Sequence, residues 1–297
     1  MSERRLGGVG AVVVNYDAGP SLGRCVASLR AAGLGTVVVV DNGSHDGSLA
    51  SLARADADAV LVPLGRNVGY ASAVNRGVQH LADAIEAVLV CNPDLVVEPD
   101  AVSLLWDALV AHAETAAVGP TVRDPDGRPY PSARQFPDYK TAVAHGLLGM
   151  FLPDNRWSRA YRREDALRAP GTAPEVDWVS GACMLVRKSA LFSVGGFDEG
   201  YFMYVEDLDL CWRLRRAGWS VRQVPSAQVV HVGGVSAARH PYRMIVAHHR
   251  STWRFARKRV AGPGRALLPL IGAGIAARGA VALTRRALRS NPRPPSV

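Results

Sequence analysis

VGAVVVNYDAGPSLGRCVASLRAAGLGTVVVVDNGSHDG, residues 9–47, is the stretch on which the fold of this chain turns. Its first seven residues, Val9 to Asn15, are apolar and mostly β-branched and then end in polar side chains, as a strand buried on both faces does. Ser21 to Ala32 spaces Leu22, Val26 and Leu29 at helical intervals. Thr36 to Val40 is a second apolar strand, stopped by the turn formers Asp41, Asn42, Gly43 and Ser44. Beyond it the same alternation predicts helix 46–55, strand 59–63, helix 69–81, strand 87–91 and helix 99–113. Strands separated by helices of about a dozen residues imply right-handed βαβ units, an α/β fold with a mostly parallel central sheet.

In such sheets ligands bind outside the carboxyl ends of the strands. Asn15-Tyr16-Asp17, Asp41-Asn42-Gly43-Ser44, Arg66-Asn67 and Asn92-Pro93-Asp94 all fall at those ends. Several nucleotide-binding classes share this placement. No GxGxxG follows the first strand and no GxxxxGKS/T occurs, so neither the dinucleotide fingerprint nor the P-loop is supported. GxSxG and HExxH are absent as well. Pro120 to Pro174, rich in Pro, Arg and Tyr, has weak periodicity and reads as an irregular stretch flanking the site.

At 297 residues, 48% hydrophobic and 21% charged, the chain can build a sizeable core, which excludes a disordered or fibrous protein. Its net charge of +9 is unevenly placed. Residues 1–209 hold 18 Lys and Arg against 26 carboxylates, whereas residues 210–297 hold 17 Lys and Arg and no carboxylate. A basic third of this kind suggests nucleic acid as a partner, yet no nucleic-acid motif accompanies it. Arg250, Arg254, Arg257, Lys258 and Arg259 instead crowd around Trp253 and Phe255, ahead of an apolar stretch and then Arg278, Arg285 and Arg289. That pattern predicts a helical, membrane-surface element over 241–297; a solvated or domain-packed basic helix is the alternative. Leu267 to Leu283, with Pro269, three glycines and Arg278, reads as a poor spanning segment. Four scattered cysteines without a CxxC pair, and no apolar leader after Met1, point to reduced thiols in the cytoplasm. Residues 291–297 read as a disordered end.

Four places carry candidate chemistry. Asp94 follows a strand end, where a hard cation finds one or two protein oxygens besides phosphate; a simple turn fits equally. Asp41 is placed to accept a hydrogen bond from a base, and Ser44 or Asp46 to cap the next helix. The densest segment is FDEGYFMYVEDLDLCWRL, residues 197–214, where Asp198, Glu199, Glu206, Asp207 and Asp209 sit among aromatics. With 207–216 helical, Asp209 and Arg213 become i,i+4 partners, while Glu206 and Asp207 lie where the helix dipole favours ionised carboxylates. An ionised carboxylate there can act as a general base toward a sugar hydroxyl. His231 ends a further strand-like run and gains weight only by converging with Asp94.

VVVNY (12–16), VDNGSHDGS (40–48), NVGYASAVNRG (67–77), CNPDLVVEP (91–99), WVSGACMLVRKSAL (178–191), GGFDEGYFMYVEDLDLCWRLRRAGW (195–219) and HVGGVS (231–236), in this order, resemble the inverting family 2 glycosyltransferases of GT-A fold. The resemblance covers residues 9–240 and is strongest to bacterial rhamnosyltransferases that extend lipid-linked sugars. It implies a catalytic domain over 1–240, with the nucleotide against Tyr16, Asp41, Asn42 and Asn67. Asp94, with His231, would hold Mg2+ or Mn2+, and Asn92 stands where the family's Asp-x-Asp motif usually has its first Asp. Asp207 matches the base and Glu206 its neighbour, and Trp178, Ser180 and Gly181 would line the donor and acceptor side. The implied reaction moves L-rhamnose from dTDP-L-rhamnose onto N-acetylglucosaminyl-diphospho-polyprenol, at the inner face of the plasma membrane. A UDP-hexose donor, a non-catalytic nucleotide-sugar binder and a nucleic-acid-binding protein are the alternatives.

Overall fold

Valine runs with no polar face can only be strands covered on both sides, and β1 (Val9–Asn15) and β2 (Thr36–Asp41) are buried almost throughout. The computed structural model describes residues 6–136, 173–232 and 240–290; the readings made for 137–172, for 233–236 and for 291–297 lie outside the described residues. After β1 come α1 (Pro20–Ala31), β2, α2 (Ser48–Ala55), β3 (Val60–Pro63), α3 (Tyr70–Val78) and β4 (Ala87–Cys91). Each agrees with the sequence reading to within a few residues at its ends. β5 (Leu95–Val97), α4 (Ala101–Ala111), β6 (Thr115–Arg123), β7 (Pro129–Tyr130) and β8 (Ala133–Arg134) follow. Past the undescribed segment come β9 (Trp178–Val179), β10 (Cys183–Arg187), α5 (Lys188–Ser193), α6 (Glu206–Arg216) and β11 (Ser220–His231).

The main sheet runs β3-β2-β1-β4-β10-β6-β11-β5, with β7 beside β6. Strands β3, β2, β1 and β4 are mutually parallel, β10 is antiparallel to both β4 and β6, and β6 and β11 are parallel. One apolar layer under the sheet includes Leu22, Val26 and Leu29 of α1 with Leu105 and Leu109 of α4. The other is built from α3, α5 and α6, through Val74, Leu191, Leu210 and Leu214.

The sheet reaches further than the sequence suggested. The sequence reading names no strand over 115–123 and begins an irregular stretch at Pro120, yet β6 runs through it. Pro120 pairs with Val224 at the edge of a register shift in β11 between Val224 and Gln228, the kind of irregularity at which a proline is tolerated in a sheet.

After β11 the chain forms α7 (Pro241–Arg259), a 3-10 turn (Gly262–Leu267) and α8 (Leu268–Ser290). Here one ground for reading Leu267–Leu283 as a poor spanning segment falls away. Pro269 sits in the first turn of α8, where its missing N–H costs nothing, and the helix runs on uninterrupted. At 1.5 Å per residue it is about 35 Å long. By length and composition, Gly262–Leu288 is able to cross a membrane, and none of its apolar stretch is buried. Glycines let α8 lie close to α7: Gly272 faces the Trp253 ring and Gly279 the His249 ring.

A glycine also sets the approach of α3 to the sheet. A Cβ at Gly77 would collide with Val12 and Val40 on β1 and β2. Helix propensity alone favours Gly77→Ala by up to about 1 kcal/mol. Overpacking against two stiff valines outweighs that, so the variant should lose about 1–3 kcal/mol in urea unfolding. A stabilised variant would refute this close approach.

Candidate functional site

Parallel register brings the polar strand ends together. Asn15 pairs with Asp41 across β1 and β2, and Asp41 with Pro63 across β2 and β3. The Asn15 amide donates to Asp41 Oδ1 at 2.8 Å, Ser44 Oγ at 3.0 Å and Ser48 Oγ at 2.9 Å. Asp41 Oδ2 accepts the Ser44 N–H at 3.1 Å. Asp41 is therefore not the uncommitted carboxylate that the sequence suggested: both oxygens are engaged, each keeping a second lone pair. The helix cap also differs, since Gly47 occupies the cap position of α2 while Asp46 Oδ1 accepts the Ser48 N–H at 3.0 Å.

Asn42 and Asn67 lock one another. The Asn42 amide donates to Asn67 Oδ1 at 3.0 Å, and Asn42 Oδ1 accepts the Val68 N–H at 2.8 Å. Asn67 Oδ1 also accepts the Gly69 N–H at 3.0 Å. Buried Asn42 thus braces the loop entering α3, with Asn67 and Tyr16 half-buried at the same sheet edge.

Asp94 and His231 do converge. β5 pairs antiparallel with β11, placing His231 opposite Leu95, and His231 Nε2 lies 3.0 Å from Asp94 Oδ1. The Val232 N–H donates to the Asp94 carbonyl at 3.0 Å. Half-buried Asn92 donates its backbone N–H to the Ala182 carbonyl, tying the end of β4 to the 178–183 segment. Among the described residues, no group of three or more His, Cys, Asp or Glu could hold a metal. The four cysteines are unpaired and buried.

The 178–183 segment also reaches α6. Trp178 is buried beneath the Arg134 guanidinium at 5.1 Å, and the Ser180 N–H donates to the Ser132 carbonyl. Gly181 N–H donates to Asp207 Oδ2 at 2.8 Å, and Leu208 N–H to Asp207 Oδ1 at 2.8 Å. A Cβ at Gly181 would come to 3.0 Å from the Asp207 Cβ, so only glycine lets this N–H reach the carboxylate comfortably. The Tyr70 hydroxyl donates to the Gly181 carbonyl at 2.9 Å.

Five carboxylates in one segment sort by environment. Burial works against the Asp198 charge, but hydrogen bonds from Lys258 and Arg254 overcome it and hold its carboxyl down at about 2. Glu199 accepts from Ser72 and Asn75. Asp209, fully buried, takes Arg213 at 2.7 Å, Lys258 at 2.6 Å and the Tyr201 hydroxyl at 3.1 Å. The predicted Asp209–Arg213 pair is thus present. Glu206 and Asp207 remain. Burial raises the carboxyls of both, and the Asp207 charge adds to the rise at Glu206, to about 8. Two backbone N–H groups and the Arg134 charge oppose the rise at Asp207, while Glu206 Oε2 has no hydrogen-bond partner among the described residues. Asp207 is therefore the member that ionises first, and Glu206 the one that keeps its proton.

The turn leading into this pair is strained. Tyr204 and Val205 adopt φ of 67° and 71°, a left-handed conformation that a β-branched residue avoids. Such residues cost on the order of 1–3 kcal/mol each and persist only where the surroundings enforce them. Asn15, Tyr70 and Arg134 were not singled out from sequence. Asn15 stood in a polar cluster already noted, but Tyr70 and Arg134 reach their partners only through long-range packing.

A large, mostly parallel sheet with helices on both faces is the arrangement of the GT-A fold. The mannosyltransferase PcManGT from Pyrobaculum calidifontis, in complex with GDP-Man and Mn2+, shares it at TM-score 0.56 and 17% identity, over 97% of this chain and 76% of that one. GalNAc-T7 with UDP, GalNAc and Mn2+ gives the same TM-score and identity over 75% of this chain, which spans only 43% of that one. The glycosyl transferase family 2 model matches residues 11–193, and a family group 2 model matches 168–260. The N-acetylglucosaminyl-diphospho-decaprenol L-rhamnosyltransferase of Mycobacterium tuberculosis strain H37Rv is 44% identical over 268 residues, 86% of each chain. This chain belongs to glycosyl transferase family 2 and is a glycosyltransferase.

A pH dependence follows from the buried pair. In the folded chain Glu206 keeps its proton up to about pH 8, whereas in the unfolded chain it loses it near 4.5. The unfolded state therefore binds fewer protons across that window, and stability falls as pH rises through it. Urea melts at about pH 5 and about pH 8 should show this fall, and Glu206→Gln should flatten it. Equal slopes in variant and parent would mean that Glu206 is not the proton-holding group.

Proposed function

We propose that the chain is an inverting glycosyltransferase that moves L-rhamnose from dTDP-L-rhamnose onto the sugar of an N-acetylglucosaminyl-diphospho-polyprenol. The observation that carries the reading is Asp207. Its carboxylate is ionised before Glu206, fixed by the Gly181 and Leu208 N–H groups, and placed across the 178–183 segment from the Asn92–Asp94 strand end. The choice of donor and acceptor is supported by the 44% identical relative.

In this reading Asp207 takes the proton of the acceptor hydroxyl as that oxygen attacks the anomeric carbon from the face opposite the nucleotide. The configuration inverts in one displacement. Glu206, protonated beside it, keeps a second negative charge away from the base. Tyr16, Asp41 and Asn67 hold the nucleotide, with Asn42 bracing their loop. Asn92, Trp178, Ser180 and Gly181 flank the sugars. Asp94 and His231 suit Mg2+ or Mn2+, which takes one or two protein ligands and completes its shell with diphosphate and water. Bound there, the cation would offset charge on the departing diphosphate.

The units are a catalytic body, 1–240, and a helical tail, 241–297. Arg278, Arg285 and Arg286 on α8, beside exposed Leu270, Val281 and Leu288, suit an anionic membrane surface at the cytoplasmic face.

Asp207→Asn should lower turnover about 10²-fold or more while leaving nucleotide binding nearly intact. A thermal-shift panel of dTDP-rhamnose, UDP-galactose, UDP-glucose and GDP-mannose with Mg2+ tests the donor. A shift with a UDP-sugar alone would replace rhamnose. For the tail, the full chain should sediment with anionic but not neutral vesicles, and Arg278→Glu with Arg285→Glu should abolish this. Salt-sensitive binding to duplex DNA without vesicle binding would overturn the membrane assignment.

A further inference from the structure

The strained turn before α6 is held largely from outside its own motif. The Phe202 carbonyl accepts the Tyr70 N–H at 2.8 Å, and the Val205 carbonyl accepts the Asp209 N–H at 2.9 Å. Between these two anchors the support comes from α7. Buried Ser251 donates its hydroxyl to the Met203 carbonyl at 2.9 Å, and the His248 ring meets the Tyr204 ring edge-on at 5.6 Å. Further along the same helix, Lys258 Nζ bridges Asp198 Oδ2 at 2.7 Å and Asp209 Oδ1 at 2.6 Å. Asp198 precedes the turn and Asp209 lies in the first turn of α6, so one ammonium ties both ends of the segment carrying Glu206 and Asp207. Arg254 adds two bonds to Asp198, and a Cβ at Gly200 would collide with its guanidinium.

We propose that α7 sets the position of the catalytic base, with Ser251 and Lys258 as positioning residues acting through the Met203–Val205 turn on Asp207. The inference rests on the reading of Asp207 as base. Ser251 holds the Met203 carbonyl, which lies between the carbonyls that α3 and α6 bond. Lys258 is the cation shared by Asp198 and Asp209, which Arg254 and Arg213 each pair singly, so it fixes their separation. Neither side chain touches the sheet edge where substrates are proposed to bind, so each acts on geometry rather than on binding. A displacement of about 1 Å at a reacting group is enough to lower a rate 10²-fold.

The test uses the full chain with dTDP-rhamnose and a lipid-linked N-acetylglucosaminyl diphosphate, comparing Ser251→Ala, Lys258→Met and Lys258→Arg with the parent. Ser251→Ala and Lys258→Met should each lower kcat about 10-fold or more, with the donor KM changed by less than about twofold. Lys258→Arg, which restores a cation to both carboxylates, should recover most of the loss. In an Asp207→Asn background, Lys258→Met should lower residual turnover no further, because its effect passes through the base. A kcat within about twofold of the parent for both Ser251→Ala and Lys258→Met overturns the proposal, as does a full additional loss in the Asp207→Asn background. Ser251→Ala removes a single hydroxyl, so it keeps the test open if Lys258→Met fails to fold. Near-normal turnover of Asp207→Asn alone would overturn the reading of the base, and this inference with it.

Discussion

Parallel pairing of β1 with β2 and β4 is the constraint from which the rest follows. Strands covered on both faces carry no polar side chains along their length, so polar residues can emerge only at the ends. Register then puts Asn15 beside Asp41 and brings the end of β4 alongside. The antiparallel insertion of β10 between β4 and β6 does the complementary work. It carries the preceding segment, with Trp178, Ser180 and Gly181, back to the same edge, where the Asn92 N–H meets the Ala182 carbonyl.

Across that edge, the five carboxylates differ in how each is neutralised. Asp198 and Asp209 are compensated by Lys258, Arg254 and Arg213, and Glu199 by Ser72 and Asn75. Asp207 is held by backbone N–H groups, which stabilise its charge without a side-chain cation bonded to it. Glu206 has neither form of compensation at Oε2 and stays protonated. Two adjacent acids thereby differ in proton affinity.

The βαβ core was legible because its signals are local: β-branched runs, helical spacing and turn formers at the strand ends. Asp94 with His231, and Asp207 with Glu206, were legible as candidates through motif resemblance. Asp41 was read as an uncommitted acceptor, and its commitment to Asn15 and the Ser44 N–H depends on the β1–β2 register. β6 is not legible in the sequence, because weak periodicity begins at Pro120, while a register shift in β11 accommodates the proline. Pro269 likewise counts against a helix only in its interior, and α8 begins at Leu268.

The alternation of strands and helices, the polar strand ends, the acid-free C-terminal third and the family resemblance are all legible along the chain. These are properties of neighbours along the chain. How each of the five clustered carboxylates is compensated is instead a property of the tertiary structure. A carboxylate's proton affinity depends on burial and on partners, and Gly181 lies 26 positions away from Asp207 while Lys258 lies 49 away from Asp209. Contacts of that range are set by packing, and no local pattern encodes them.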